Sequence, residues 1–176
     1  PVELRESRSA EESALIWKGR KSAFGAMGQI ADYICLDGTI PVSELPFVLR
    51  RIEELTASYG LGVSNVFHAG DGNLHPLILY DANKPGDLAK AEALGADILR
   101  LCVEVGGCLT GEHGVGVEKR DLMSVQYAPA DLEAQLRVKD VFDPNWLLNP
   151  AKVFPLEVSA ARRNPQAEPE LRRASV

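Results

Sequence analysis

The sequence is poor in the residues that mark disulfide-rich, zinc-ribbon, nucleic-acid-binding and membrane-spanning proteins. Its three cysteines, Cys35, Cys102 and Cys108, are odd in number and form no Cys-x-x-Cys pair, so a reducing compartment is expected. Lys and Arg (19) are outnumbered by Asp and Glu (25), and the resulting net charge of −6 argues against a nucleic-acid-binding protein. No apolar run approaches the ~18 residues that a membrane-spanning helix requires.

Histidine is equally scarce, and its placement is the most informative feature of the chain. The three histidines all lie in two short glycine-rich segments, with His68 and His75 in residues 67–76 and His113 in residues 111–114. Apolar residues that favour strands flank the first segment on both sides, which predicts a β-hairpin. In the symmetric register His68 and His75 lie directly opposite one another, with Cβ atoms roughly 4.5–5.5 Å apart. Both imidazoles could then hold one metal ion.

The residues beside these histidines complete a candidate metal site. Glu112 precedes His113, and two imidazoles with one carboxylate are a familiar ligand set for a divalent metal such as zinc, manganese or iron. We favour His68, His75 and Glu112 as the metal ligands, with His113 as the general base. The reverse assignment, with His113 as the third ligand and Glu112 as the base, remains open. Asn73 is a good turn former, and its amide could also point at a ligand held between the histidines.

The pattern of apolar residues predicts an α+β fold built on a ferredoxin-like antiparallel sheet. The order over residues 36–110 is strand, helix, strand, strand, helix, strand, which is the split βαβ arrangement with both helices on one face. The predicted strands are residues 36–42, the two arms of the hairpin and residues 108–110. We expect the first and last strands at the centre of the sheet. The opposite face then needs cover from the helix that follows the capping box at residues 9–12, or from another protein chain.

A C-terminal helical segment is expected beyond this sheet. Pro129 stands near the start of a predicted helix over residues 129–142, and a proline-punctuated loop follows it. From residue 157 the chain becomes polar and rich in arginine and proline. We therefore expect residues 1–156 to form one domain and residues 157–176 to form a disordered tail.

Three motifs, in this order, resemble the C-terminal domain of FAD-linked oxidases, the vanillyl-alcohol-oxidase type of flavoproteins. They are residues 68–76 (HAGDGNLHP), residues 111–120 (GEHGVGVEKR) and residues 148–152 (LNPAK). Residues 17–24 (WKGRKSAF) and 37–41 (DGTIP) look closest to the glycolate oxidase flavoprotein subunit and the D-lactate dehydrogenase group. The resemblance extends over residues 12–154.

The resemblance implies an FAD-dependent oxidoreductase that oxidises glycolate or a D-2-hydroxy acid to the 2-oxo acid. In such enzymes FAD is bound mainly by an N-terminal domain that this sequence does not contain. We therefore expect the chain to be the C-terminal portion of a longer enzyme and to be inactive alone. The site residues that the resemblance implies are His68, His75 and Glu112 as metal ligands, His113 as base, Arg20 at the substrate carboxylate, and Asn149 with Asn73 at the cofactor.

The expected partners are a 2-hydroxy acid, the FAD-binding domain of the full-length protein and further oxidase subunits, with a homo-oligomer as an additional option and no nucleic acid. A cytoplasmic location is expected, either free or peripheral to the inner membrane. Two other functions fit the same residues. One is a stand-alone metal-dependent hydrolase, in which the site activates water, and the other is a non-catalytic binding module on a ferredoxin-like scaffold.

Overall fold

The computed structural model describes residues 5–163 and shows an α+β fold, the class that the sequence predicted. The helices in this range are α1 (Ala10–Lys21), α2 (Ala23–Met27), α3 (Leu45–Tyr59), α4 (Asp87–Glu104), α5 (Met123–Gln126), α6 (Pro129–Phe142) and α7 (Leu156–Arg163). The strands are β1 (Asp32–Cys35), β2 (Gly38–Thr39), β3 (Gly62–His68) and β4 (Asn73–Tyr80), and 3-10 turns lie at Val42–Glu44 and Arg120–Leu122. Within residues 5–163, no helix has the length and apolar character needed to cross a lipid bilayer.

Local sequence determines where the principal helices begin and end. The Ser9 hydroxyl accepts the N–H of Glu12 at 3.1 Å and caps the start of α1. The predicted first helix is divided at Ser22, where α2 begins. Helix α3 ends at Gly60, whose φ of +66° is a left-handed conformation that glycine adopts without strain.

Strand β4 lies at the centre of the sheet. β3 pairs antiparallel with one edge of β4, and both β1 and β2 pair antiparallel with the other edge. β1 and β2 keep one register from Asp32 to Thr39, so they are two parts of a single strand that is interrupted at residues 36–37. At the interruption the Leu36 N–H still donates to the Pro76 carbonyl at 3.0 Å, whereas Pro76 has no N–H to return.

The sheet differs from the predicted one in three respects. The first strand runs from Asp32 to Thr39 instead of over residues 36–42, since the chain enters a 3-10 turn after Pro41. The hairpin strand β4, not the first and last strands together, forms the centre. The last predicted strand is reduced to one antiparallel bridge between Thr39 and Cys108. The N–H groups of residues 111–113, which follow this bridge, donate to a carboxylate instead of a neighbouring strand, so the chain does not rejoin the sheet there.

The main core lies between the sheet and helices α3 and α4, which cover one face as predicted. Its buried residues are Leu36, Ile40, Val48, Ile52, Leu74, Ile78, Ala91, Leu94, Ile98, Leu101 and Cys102. Because side chains alternate along a strand, Leu74 and Ile78 face this core and the intervening His75 faces the other side of the sheet. Helix α2 lies on that other side, where the Phe24 ring meets the His75 ring edge-on at a centroid distance of 6.4 Å.

A smaller cluster joins α6 to the segment that follows it, and its buried members are Leu136, Trp146 and Phe154. Helix α7 packs beside this cluster, where Arg162 pairs with Glu133 and with Asp140, each at 2.7 Å. Residues 157–163, which the sequence analysis assigned to the tail, are described as part of α7, and these ion pairs join segments more than 20 residues apart. The remainder of the predicted tail lies outside the described residues.

Candidate functional site

His68 and His75 lie on the sheet face away from α3 and α4, close together but not directly opposite. The hairpin register places Asn73 opposite His68 and Val66 opposite His75, so the predicted direct pairing is wrong. Residues 69–72 form a compact four-residue loop that connects the two strands. Direct pairing of the histidines requires a longer loop. The two histidines are instead diagonal neighbours, with ring centroids 5.4 Å apart and ring planes at 83°.

Glu112 and His113 complete this cluster from the second glycine-rich segment. Glu112 Oε1 lies 3.0 Å from His75 Nε2 and 3.9 Å from His68 Nε2. The His113 ring stacks on the His75 ring, with centroids 5.1 Å apart and planes at 17°. The His75 side chain is only 4% exposed, whereas those of His68 and Glu112 are about half exposed. All three histidines of the chain and one carboxylate thus lie together, facing solvent on one side.

His75 is oriented by a backbone carbonyl. Its Nδ1 lies 3.0 Å from the carbonyl oxygen of Leu36, and a carbonyl can only accept, so Nδ1 carries the hydrogen. In the neutral ring, the lone pair of Nε2 is then directed at the Glu112 carboxylate, which is also an acceptor. Two acceptors 3.0 Å apart need a proton or a cation between them, and a divalent metal meets this requirement. The donor set of this site therefore fits a metal ion.

Asp37 is the residue of this site that sequence analysis missed. It is fully buried, and its carboxylate accepts hydrogen bonds from the Thr110 hydroxyl at 2.6 Å and from the N–H groups of residues 111–113 at 2.9–3.2 Å. Burial works against the charged form, but these hydrogen bonds and the charge of Lys119 outweigh it, so the pKa of Asp37 lies well below its usual range. The sequence signal was an Asp-Gly pair, which is equally typical of a simple bend.

Two overlapping sets of ligands are available at this site. Asp37, His75, Glu112 and His113 each offer a ligand atom, and these atoms lie within 4.8 Å of one another. His68 is not in that group, although its Nε2 approaches Glu112. Glu112 and His113 both offer a ligand atom close to His75, so the geometry admits both assignments left open by the sequence, with either Glu112 or His113 as the third ligand. Asp37 is less available than the others, because its oxygens already accept hydrogen bonds from the loop.

Asn73 and Arg20 lie beside the histidine cluster. Asn73 is opposite His68 and only 8% exposed, and its Oδ1 has no hydrogen-bond partner within residues 5–163. Buried amide oxygens are normally hydrogen-bonded, so this atom is an unpartnered acceptor beside the histidine cluster. Arg20 Nη2 lies 3.5 Å from the carbonyl oxygen of Phe67, so its exposed guanidinium stands at the end of β3 that carries His68.

Asn149 lies in a strained turn after α6. Four residues of this turn have left-handed φ values of 45–71°, which are unfavourable outside glycine: Trp146, Asn149, Ala151 and Val153. The Asn149 side chain accepts a hydrogen bond from Lys152 at 3.3 Å. The turn is joined to the segment that follows His113, because Arg120 donates to the Ala151 carbonyl at 2.6 Å. Two of the three sequence motifs are therefore connected directly, by the Arg120 side chain and the Ala151 carbonyl.

These features coincide with a known protein family. A family model described as FAD linked oxidases, C-terminal domain, matches residues 3–153, and the chain belongs to this family. The glycolate oxidase subunit GlcD of Escherichia coli (strain K12) is 53% identical over 155 residues, which are 88% of this chain and 31% of that protein. The D-2-hydroxyglutarate dehydrogenase of Stutzerimonas stutzeri (strain A1501) is 33% identical over 156 residues, with 84% and 32% covered.

A mitochondrial D-lactate dehydrogenase (cytochrome) of Arabidopsis thaliana is 31% identical over 146 residues, which are 81% of this chain and 26% of that protein. The chain thus spans less than one third of the length of these three relatives. The similarity therefore concerns the C-terminal domain of such proteins.

Proposed function

We propose that residues 1–156 are the substrate- and metal-binding C-terminal domain of an FAD-dependent oxidoreductase that oxidises glycolate or a D-2-hydroxy acid to the 2-oxo acid. The observation that carries this proposal is the convergence of all three histidines and Glu112 beside one end of the hairpin. Family membership and the names of the relatives support the flavin-dependent class. FAD would be bound mainly by a part of the protein outside this sequence, and further oxidase subunits are proposed partners.

His68, His75 and Glu112 are the proposed metal ligands. His75 presents Nε2 from a buried, hydrogen-bonded ring, and Glu112 lies between the two imidazoles. When bound, a divalent metal such as zinc, manganese or iron would act as a Lewis acid toward the substrate hydroxyl group, and FAD would accept the hydride from the α-carbon. The half-exposed side chains of His68 and Glu112 leave one side of this site open to a substrate.

His113 is the proposed general base. Its imidazole stacks on that of His75, and its backbone N–H is held by Asp37 at 2.9 Å. The ring is therefore kept beside the proposed ligands while it stays accessible to a substrate. A neutral imidazole can accept the hydroxyl proton near neutral pH, which is the step that must accompany loss of the α-hydrogen.

Arg20, Asn73 and Asn149 are proposed to hold the substrate and the cofactor. A guanidinium matches the planar carboxylate of a 2-hydroxy acid with two parallel hydrogen bonds, and Arg20 is placed beside the strand end that carries His68. The unpartnered Oδ1 of Asn73 would accept a hydrogen bond from the cofactor. Asn149 would approach the cofactor from the strained turn after α6.

Metal binding to single variants of this chain tests the ligand assignment. Calorimetric titration with Zn²⁺ or Mn²⁺ should show binding to the wild type, and both His75→Ala and His68→Ala should lose most of the affinity because each removes a ligand. His113→Ala should keep its affinity within a few-fold. If His113→Ala loses the metal while Glu112→Gln retains it, the reversed assignment is correct. Equal binding by the wild type and the two ligand variants would contradict the metal site itself.

Substrate oxidation tests the proposed class of enzyme. The isolated chain should not oxidise glycolate or D-lactate with a dye as the electron acceptor, because it has no flavin to accept the hydride. In the full-length flavoprotein, His113→Gln should lower kcat strongly while metal content is unchanged. Turnover by the isolated chain, free of flavin, would contradict the proposal.

A further inference from the structure

We propose that the buried Asp37–Lys119 pair is a positioning device that fixes Glu112 in the orientation that binds the metal and His113 beside it. This inference rests on the proposed function of the histidine cluster. Asp37 and Lys119 are 0% and 4% exposed, and Lys119 Nζ donates to the Asp37 carboxylate at 3.2 Å and to the Asp37 carbonyl at 2.9 Å. Neither residue is among the metal ligands, the base or the substrate-binding residues of the proposed function.

The contacts of Asp37 show what the pair positions. Three consecutive N–H groups, those of Gly111, Glu112 and His113, donate to its carboxylate. The Thr110 hydroxyl also donates to this carboxylate at 2.6 Å and accepts the N–H of Gly114 at 2.8 Å. Every backbone N–H from residue 111 to residue 114 therefore ends on the carboxylate or on a hydroxyl bonded to it. Within the described residues this segment belongs to no helix or strand, so its N–H groups are hydrogen-bonded by the carboxylate instead of by a neighbouring turn or strand.

Lys119 offsets the cost of burying the Asp37 carboxylate. A buried carboxylate without a positive partner is strongly unfavourable, and the ammonium group of Lys119 supplies that charge from the same segment of chain. Lys119 also donates its backbone N–H to Val115 at 3.1 Å, so the segment is closed at its far end. The Asp37 side chain is therefore bonded to Thr110 before Glu112 and His113, and to Lys119 after them.

A second Asp–Lys pair of the same construction lies elsewhere in the chain and provides a matched control. Asp143 accepts the N–H groups of Leu147 and Leu148 at 2.9 and 3.0 Å, and Lys139 Nζ donates to it at 2.8 Å. Lys139 also donates to the carbonyl of Leu148, as Lys119 does to that of Asp37. This pair holds the turn after α6 and donates nothing to the loop of Glu112.

The test uses the double variant Asp37→Asn/Lys119→Met, which leaves the net charge of the chain unchanged and leaves no buried charge unpaired. Groups that orient metal ligands typically contribute tenfold to a hundredfold to metal affinity, so calorimetry with Zn²⁺ should show a loss of at least about tenfold. The control Asp143→Asn/Lys139→Met makes the same chemical change and should bind Zn²⁺ like the wild type. Thr110→Val, which removes one contact to Asp37 without altering charge, should lower the affinity several-fold and substitutes if the double variant does not fold.

Hydrogen exchange at the amides of residues 111–113 gives a second readout that needs no metal. Exchange should be faster in Asp37→Asn/Lys119→Met and in Thr110→Val, and unchanged in Asp143→Asn/Lys139→Met. If the wild type binds Zn²⁺ and the Asp37 variants bind it equally well, the inference is wrong while the metal site stands. If the wild type binds no metal, the proposed function fails. The exchange rates then test the positioning role alone, and equal rates in all variants would overturn it.

Discussion

Gly107→Ala should disrupt the bridge that leads the chain into the functional loop. A methyl group at this position would overlap the Thr39 carbonyl group, with its carbon 2.7 Å away, and would lie 2.8 Å from the Cys102 carbonyl oxygen. Both obstacles are backbone atoms, so no change of side-chain rotamer can relieve the overlap. The bridge between Thr39 and Cys108 must therefore open, and it consists of two hydrogen bonds of 3.0 Å each.

The expected loss of stability follows from these contacts. Two backbone hydrogen bonds at about 1 kcal/mol each contribute about 2 kcal/mol. Overpacking of a close backbone contact adds about 1–3 kcal/mol. We therefore expect Gly107→Ala to lower the free energy of unfolding by about 3–5 kcal/mol, a large part of the stability of an average domain.

Urea denaturation, followed by circular dichroism, measures this loss. Gly70→Ala is the matched control, because a methyl group there has no neighbouring atom within 4 Å. Its free energy of unfolding should stay the same or rise by up to about 1 kcal/mol. A loss of less than about 1 kcal/mol for Gly107→Ala would refute the reasoning, since the overlap would then be relieved without opening the bridge.

Two further predictions concern the segment after α6. Trp146 is 1% exposed and its indole N–H donates to the Asp140 carboxylate at 2.6 Å, so Trp146→Phe should lower the free energy of unfolding by about 1.5–3 kcal/mol. An effect below about 0.5 kcal/mol in urea denaturation would contradict it. Hydrogen bonds from Lys139 and from the backbone lower the pKa of Asp143 despite its burial. Its stabilising effect is therefore complete above the ordinary carboxyl pKa and is lost as the pH falls through the lowered value. The stability difference between the wild type and Asp143→Asn should shrink as the pH falls below the ordinary carboxyl pKa of about 4, and a constant difference would contradict it.

Local sequence controls some parts of the fold. Helix α3 ends at Gly60 because glycine alone adopts the left-handed conformation there without strain, and that residue is visible in the sequence. The clustering of His68, His75 and His113 was also predictable, because the chain has only three histidines and all of them lie in two short glycine-rich segments. The helix end is decided within a short stretch of chain, whereas the histidine cluster joins two distant segments and was predictable only from their composition.

The features that sequence analysis missed depend on partners far along the chain. Asp37 is bonded to residues more than 70 positions away, and no local pattern distinguishes it from a residue in a bend. The hairpin register depends on the length of the loop. A four-residue loop pairs His68 with Asn73 and a longer loop would pair it with His75, and the apolar residues stay buried in both registers. Helix α7 is held by Arg162 pairing with Glu133 and Asp140, whereas its own composition is typical of a polar tail.

Because Pro76 has no backbone N–H, it affects which nitrogen of the neighbouring His75 ring carries the hydrogen. At an ordinary ladder position the residue at 76 would return an N–H to the carbonyl of Leu36, but proline has none, and the Nδ1–H of His75 takes that place. The imidazole is thereby held in one tautomer, with its other nitrogen directed outward before any ion arrives. A residue with a backbone N–H at position 76 would compete for the same oxygen and leave the ring to exchange between its two neutral tautomers.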